Sequence, residues 1–197
     1  MMTSMTRFFA AAASAALIWS GPAWGQWELD SQQSAVTFIS IKNAKIAEQH
    51  RFDSLTGYVS AEGRAQVNIE LDSVESLIPI RNERMREMLF ETGSYPLAQL
   101  SASVDPAVLE SVLESGVINT ELPVKVKLHG MEQSVTARVA IVGDTGGLRV
   151  IAAEPVLISA ADFGLESGVE ALREVAGLNV ISTAVPVSFQ LVFTPAQ

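Results

Sequence analysis

The chain has 197 residues, no cysteine and a formal net charge of −9. The missing cysteine excludes disulfides, thiolate catalysis and cysteine-bound zinc, so packing alone must hold the fold. So large an acidic excess argues against nucleic acid or an anionic membrane surface as a partner.

Met1 to Arg7 carries one positive charge, and Phe8 to Trp19 is an apolar run of about a dozen residues. Ala23-Trp24-Gly25 sets small residues at the −3 and −1 positions before Gln26. The pattern predicts a secretory signal over residues 1–25 and one mature domain over residues 26–197, exported to the periplasm. The apolar run is short for a transmembrane helix, and no later stretch is long and apolar enough to span a bilayer.

Period-two alternation dominates the rest. Val67, Ile69 and Leu71 share one face, as do Val124, Val126 and Leu128, then Val135, Ala137, Val139 and Ile141, then Val185, Val187, Phe189, Leu191 and Phe193. Strand-like segments are expected at 34–43, 51–62, 64–76, 97–105, 117–129, 132–143, 147–158 and 179–193, with Trp27 to Asp30 extending the first. Gly130-Met131 and Gly143-Asp144-Thr145-Gly146-Gly147 read as hairpin connections. Eight antiparallel strands with one apolar face can close into a barrel and so remove their edges.

Three helices interrupt the strands. Asn82 is a candidate N-cap for a segment with Met85, Met88 and Leu89 at helical spacing. Asp105-Pro106 is a cap followed by a first-turn proline, with Val108, Leu109, Val112 and Leu113 on one side and Gly116 as the stop. Ser167-Gly168-Val169-Glu170 has the spacing of a capping box, and Gly177 closes its helix.

No motif points to catalysis or to a metal. The two histidines, His50 and His129, do not form HxH or HExxH, and Gly-x-Ser-x-Gly does not occur. His129 extends the polar face of a strand and reads as solvated; His50, at a strand start, is the more open case. Arg81, Arg84 and Arg86 are the one local basic cluster. They form either a rim that meets a polar head group or a solvated helix face paired with Glu83 and Glu87. Met85, Met88, Leu89 and Phe90 form an apolar stripe, which suits core packing and an adaptable cap over a pocket alike.

Two segments carry a resemblance. Ile80-Arg81-Asn82-Glu83-Arg84-Met85-Arg86-Glu87-Met88-Leu89-Phe90, with Tyr95-Pro96 after it, is the first. Asp162-Phe163-Gly164-Leu165, then Ala171-Leu172-Arg173 and Val185-Pro186-Val187-Ser188-Phe189, is the second. Together with Trp27-Glu28-Leu29-Asp30-Ser31 and Leu55-Thr56-Gly57-Tyr58-Val59 they resemble the YceI-like family over essentially the whole mature chain. Arg81-Asn82 and Arg84-Met85 stand where that family often has Arg-Asp and His-Leu.

The resemblance implies an all-β fold with short helices: an eight-stranded antiparallel, lipocalin-like barrel around an apolar cavity. It implies a non-enzymatic protein that binds a long-chain isoprenoid lipid or quinone-like amphiphile, with no other cofactor. Phe38, Phe52, Met85, Met88, Leu89, Phe90, Phe163 and Leu165 are the expected tail contacts. The alternative is a filled barrel that partners a membrane or electron-transfer protein. Monomer and homodimer both remain open.

Overall fold

The computed structural model describes residues 27–144 and 146–196; the signal expected over residues 1–25 lies outside them. In chain order the strands are β1 (Trp27–Leu29), β2 (Ala35–Lys42), β3 (Ile46–Phe52), β4 (Leu55–Val59), β5 (Arg64–Glu70), β6 (Val74–Glu75), β7 (Leu97–Ser103), β8 (Val117–Leu128), β9 (Met131–Asp144), β10 (Gly147–Ala152), β11 (Val156–Ser159) and β12 (Ala184–Pro195). The helices are α1 (Pro79–Arg84), which continues as a π-helical turn over Met85–Leu89, then α2 (Pro106–Ser115) and α3 (Glu166–Val175).

The strands close on themselves. The path runs β1-β4-β5-β7-β8-β9-β10-β12, and β12 pairs back onto β1 through Trp27↔Pro195 and Leu29↔Phe193. This is a closed eight-stranded antiparallel barrel. The remaining strands prolong it at one end: β2 lies beside β12 through Phe38↔Val187, β3 beside β2, and β11 beside β12. Closure leaves the ring without an edge for another chain to extend.

Alternation sets the register as expected. Between β8 and β9, Val124↔Val135 and Leu122↔Ala137 share the inner face, and Glu121↔Arg138 the outer. Arg138 reaches Glu121 there at 2.9 Å. A one-residue slip would exchange the two faces, so the inward-facing apolar residues fix the pairing.

Five expected elements differ in detail, among them the segment expected at 64–76, where β5 ends at Glu70 and a 3-10 turn over Leu71–Ser73 precedes β6. The first long strand breaks between β1 and β2 because Asp30 Oδ1 accepts hydrogen bonds from the backbone of Gln32 (2.9 Å) and Gln33 (3.2 Å), a turn that aspartate favours. The segment expected at 51–62 begins earlier, at Ile46, and bends at residues 53–54. The segment expected at 147–158 breaks between β10 and β11. The last strand starts at Ala184, not at residue 179. In the β8–β9 hairpin His129 (φ 51°) and Gly130 (φ 76°) form the turn, and Met131 already belongs to β9. Positive φ at both central positions is the geometry that twisted hairpins select.

Capping separates the three helices. Asp105 caps α2 by accepting from Ala107 N at 2.9 Å, and Gly116 ends it at φ 86°. Asn82 does not cap α1: the helix starts at Pro79, whose fixed φ and missing N–H suit a first turn. Asn82 is buried instead, its Oδ1 accepting from Ser76 N at 2.9 Å. The capping box expected at Ser167 is absent as well. α3 begins at Glu166 with Leu165 before it, and Glu170 pairs with Arg173.

Candidate functional site

The barrel encloses a cavity of about 250 Å³. Apart from Ser101, every residue that lines it is apolar. Inward alternation builds the walls: Leu122 and Val124 from β8, Ala137, Val139 and Ile141 from β9, and Phe189, Leu191 and Phe193 from β12. Such a wall excludes water and offers no fixed partner for a polar ligand, so it suits a hydrocarbon.

A helix packs at each end of the barrel. At one end α2 contributes Leu109 to the lining and packs the fully buried Val112 on β9. Gly143 permits that approach, since a Cβ there would stand 2.6 Å from Val112 Cγ1. At the other end α3 lies on the π-helical turn. A Cβ at Gly168 would meet Met88 O at 2.6 Å and Leu89 Cα at 2.9 Å. Backbone cannot yield as a side-chain tip can, so Gly168→Val is expected to cost about 1–3 kcal/mol by forcing α3 off that turn. Chemical denaturation of the two proteins measures it; equal stability would show that the contact is not tight.

The π-helical turn directs two residues inward. The Phe90 N–H bonds Met85 O at 2.9 Å, a five-residue step that swells the helix and sets both Leu89 and Phe90 on the cavity wall. Phe90 then meets Phe38 edge-on, with ring centres 6.4 Å apart, and lies 5.8 Å from Phe52. Phe38 and Phe52 stack at 5.4 Å. This aromatic cluster bounds the cavity where β2 and β3 prolong the barrel.

Of the eight expected tail contacts, Phe38, Phe52, Leu89, Phe90 and Leu165 stand on the cavity wall. Met85, Met88 and Phe163 do not. Met85 is 4% exposed and packs in one cluster with Val74 and the wall residue Leu71, Met88 is half-buried beside α3, and Phe163 is 1% exposed among Val126, Ala160 and Leu165. The helical stripe could not tell wall from support, because a π turn shifts the facing of every residue after it.

The arginines are structural anchors. Arg81 binds Glu48 and donates to Ser76 Oγ at 2.8 Å; Arg84 reaches Val175 O at 3.5 Å; Arg86 reaches Asp72 O at 3.2 Å. None of these partners is Glu83 or Glu87, so the expected helix-face pairing is replaced by contacts between segments.

His129 is not a solvated strand residue. Its ring lies 4.3 Å from that of Tyr95, and its side chain is 15% exposed. Its Nε2 stands 3.8 Å from Glu91 Oε2.

His50 is the site residue that sequence reasoning placed least well. It sits within β3, 2% exposed, with Nε2 2.8 Å from Ser40 Oγ and its ring 5.1 Å from Phe38. The available signal was its cross-strand partner, Phe38, which puts both residues on the inner face. Burial, with the charge of Arg81 added, pushes the imidazole pKa from 6.5 down to about 4. For Glu48 burial acts upward, but the Lys42 hydrogen bond and the Arg81 charge outweigh it, and the carboxyl lies below its usual range.

A pH dependence follows. An unfolded chain protonates His50 near 6.5, whereas the folded protein resists until about 4. Stability is therefore full above pH 6.5 and falls as the pH drops toward 4, by at most about 3 kcal/mol. Urea midpoints at pH 7 and pH 4.5 test this. His50→Phe should flatten the difference, and an unchanged difference would assign it to other groups.

Three comparisons place the chain. The profile of a family described as the YceI-like domain matches residues 27–193. None of the curated proteins compared matches. Among solved structures, a polyisoprenoid binding domain from Saccharophagus degradans, described as implicated in plant cell wall breakdown, is 38% identical. That match covers 88% of this chain and 100% of that one, with a TM-score of 0.84. BcnA from Burkholderia cenocepacia is 19% identical over 83% of this chain and 98% of its own, with a TM-score of 0.65. A YCEI protein from Campylobacter jejuni is 14% identical over 80% of this chain and 90% of its own, with a TM-score of 0.57. The last two are likenesses of fold alone.

Proposed function

The chain belongs to the YceI-like domain family, and from that premise we propose that it is a periplasmic binding protein that holds a long-chain isoprenoid or quinone-like lipid inside its barrel. One observation carries this reading: a cavity inside a closed barrel whose lining is apolar but for Ser101. The similarity to the polyisoprenoid binding domain from Saccharophagus degradans supports the same ligand class. Each methylene withdrawn from water contributes about 0.8 kcal/mol before the cost of association, so a long tail is held firmly without a hydrogen bond. The role is carriage, storage or protection, and the protein acts by shielding the tail and not by transforming it.

The filled-barrel alternative fits the structure poorly, because the interior retains a cavity of about 250 Å³. The test is native mass spectrometry of protein purified from its own periplasm without detergent, followed by solvent extraction. One isoprenoid adduct per chain is the expected result. An empty protein that also refuses added polyprenols and quinones would reject the proposal.

A further inference from the structure

The two ends of the cavity are built differently. Toward α3 the cavity comes within one side chain of the surface. Val169 lines it and also lines an outer groove with Glu166, Glu170, Arg173, Asn179 and Thr183. Beyond the cavity wall on that side, the inner face of β2 and β3 turns polar at Ser40, His50 and Glu48. Toward α2 the cavity ends on hydrocarbon. There Leu109 shares one buried cluster with the wall residues Val59, Val104, Ile141 and Phe193.

The α2 end is also held in place by backbone. The Val104 N–H donates to Gly63 O at 2.8 Å just before the Asp105 cap, and the Gly143 N–H donates to Gly116 O at 3.0 Å just after the last turn. Leu109, 5% exposed, lies between these two ties. One turn further on, Val112 is fully buried, and its carbonyl oxygen stands 2.9 Å from where a Cβ on Gly143 would lie. Leu109 therefore cannot retreat by a shift of the helix. A tail in such a tube gains with each unit it buries until its tip reaches the end wall. A further unit must crowd packed side chains, which is itself unfavourable, or stay outside in water. Contacts between hydrocarbons are non-directional, so the position of the end wall is the length signal that the cavity offers.

We propose that Leu109 on α2 determines tail length: it stops the tip of the bound lipid, and its size sets the longest isoprenoid that the barrel takes in completely. This rests on the reading that the cavity holds a lipid tail. The stop orients the lipid with its tip toward α2 and separates isoprenoids that differ by a single unit.

The experiment titrates the delipidated full-length protein with a graded series of all-trans prenols, each one isoprene unit longer than the last. Wild-type affinity should rise to a peak and then fall about tenfold for the next unit, the effect of crowding a packed wall. Leu109→Ala should move the peak to a longer prenol, and Leu109→Phe should move it to a shorter one. Leu113→Ala, on the same helix at a position 44% exposed, should leave the peak in place. A second readout needs no variant to fold. A peak-length prenol with a diazirine at its tip should, on irradiation, label α2 or the residues clustered with Leu109 in wild-type protein. Affinity that climbs without a peak, a peak unmoved by either Leu109 substitution, or a tip that labels the α3 end would each overturn the length stop while leaving tail binding intact. Failure of every prenol to bind would reject both the stop and the carrier reading.

Discussion

Leu165→Asp is expected to abolish loading, weakening uptake of a long-chain isoprenoid by about 100-fold or more. Leu165 is 6% exposed, lines the cavity, and packs with Val126, Ala160 and Phe163 at the α3 end. A carboxylate there has no cation within a wall that is apolar but for Ser101, and stripping a charge of water without a partner costs several kcal/mol. The site responds by admitting water, which removes the gain from burying the tail. Val124→Phe probes the same space with the opposite chemistry, since it fills the cavity without adding charge. It should leave thermal stability equal or higher and still reduce uptake of long tails. Titration with a polyprenol reads both variants. Undiminished loading in both would show that the tail does not occupy this cavity.

Phe163→Ala is expected to destabilise the fold by about 3–5 kcal/mol, the range for removing a buried aromatic ring. The ring is 1% exposed and stands behind the wall, not on it, between β8 and the turn that leads into α3. In a domain of this size the loss lowers the melting temperature by on the order of 10 °C. Protein that remains folded should bind its lipid with little change in affinity. A large affinity loss at low temperature, with small loss of stability, would instead make Phe163 a ligand contact. Together the two substitutions separate residues that touch the tail from residues that hold its wall in place.

The barrel was largely legible because its strands alternate so regularly. Val135, Ala137, Val139 and Ile141 stand inward on β9 as the period of two required, and the same holds for Val187, Phe189 and Leu191 on β12. α2 was equally plain, because Asp105, Pro106 and Gly116 each act through local chemistry. Asn82 and Ser167 have the same local credentials but do not cap their helices. Asn82 finds Ser76 as a buried partner, and the contact of Gly168 with Met88 and Leu89 fixes where α3 lies.

The binding region divides in the same way. Leu89 and Phe90 both reach the wall only because a π turn inserts an extra residue, and periodicity carries no sign of that insertion. The role of His50 depended on a strand that begins at Ile46, five residues earlier than alternation suggested. Once that strand is placed, pairing with Phe38 turns His50 inward, and burial does the rest.

The sequence by itself determined the class of fold, the apolar lining and the absence of recognisable catalytic or metal motifs, because each is written in residue type and short-range spacing. Only the tertiary structure decided which apolar residues are wall and which are support, and that the inner face turns polar at Ser40, His50 and Glu48. Those outcomes depend on which segments meet across the barrel. Arg81 on α1 joining Glu48 on β3, 33 residues away, is the plainest case.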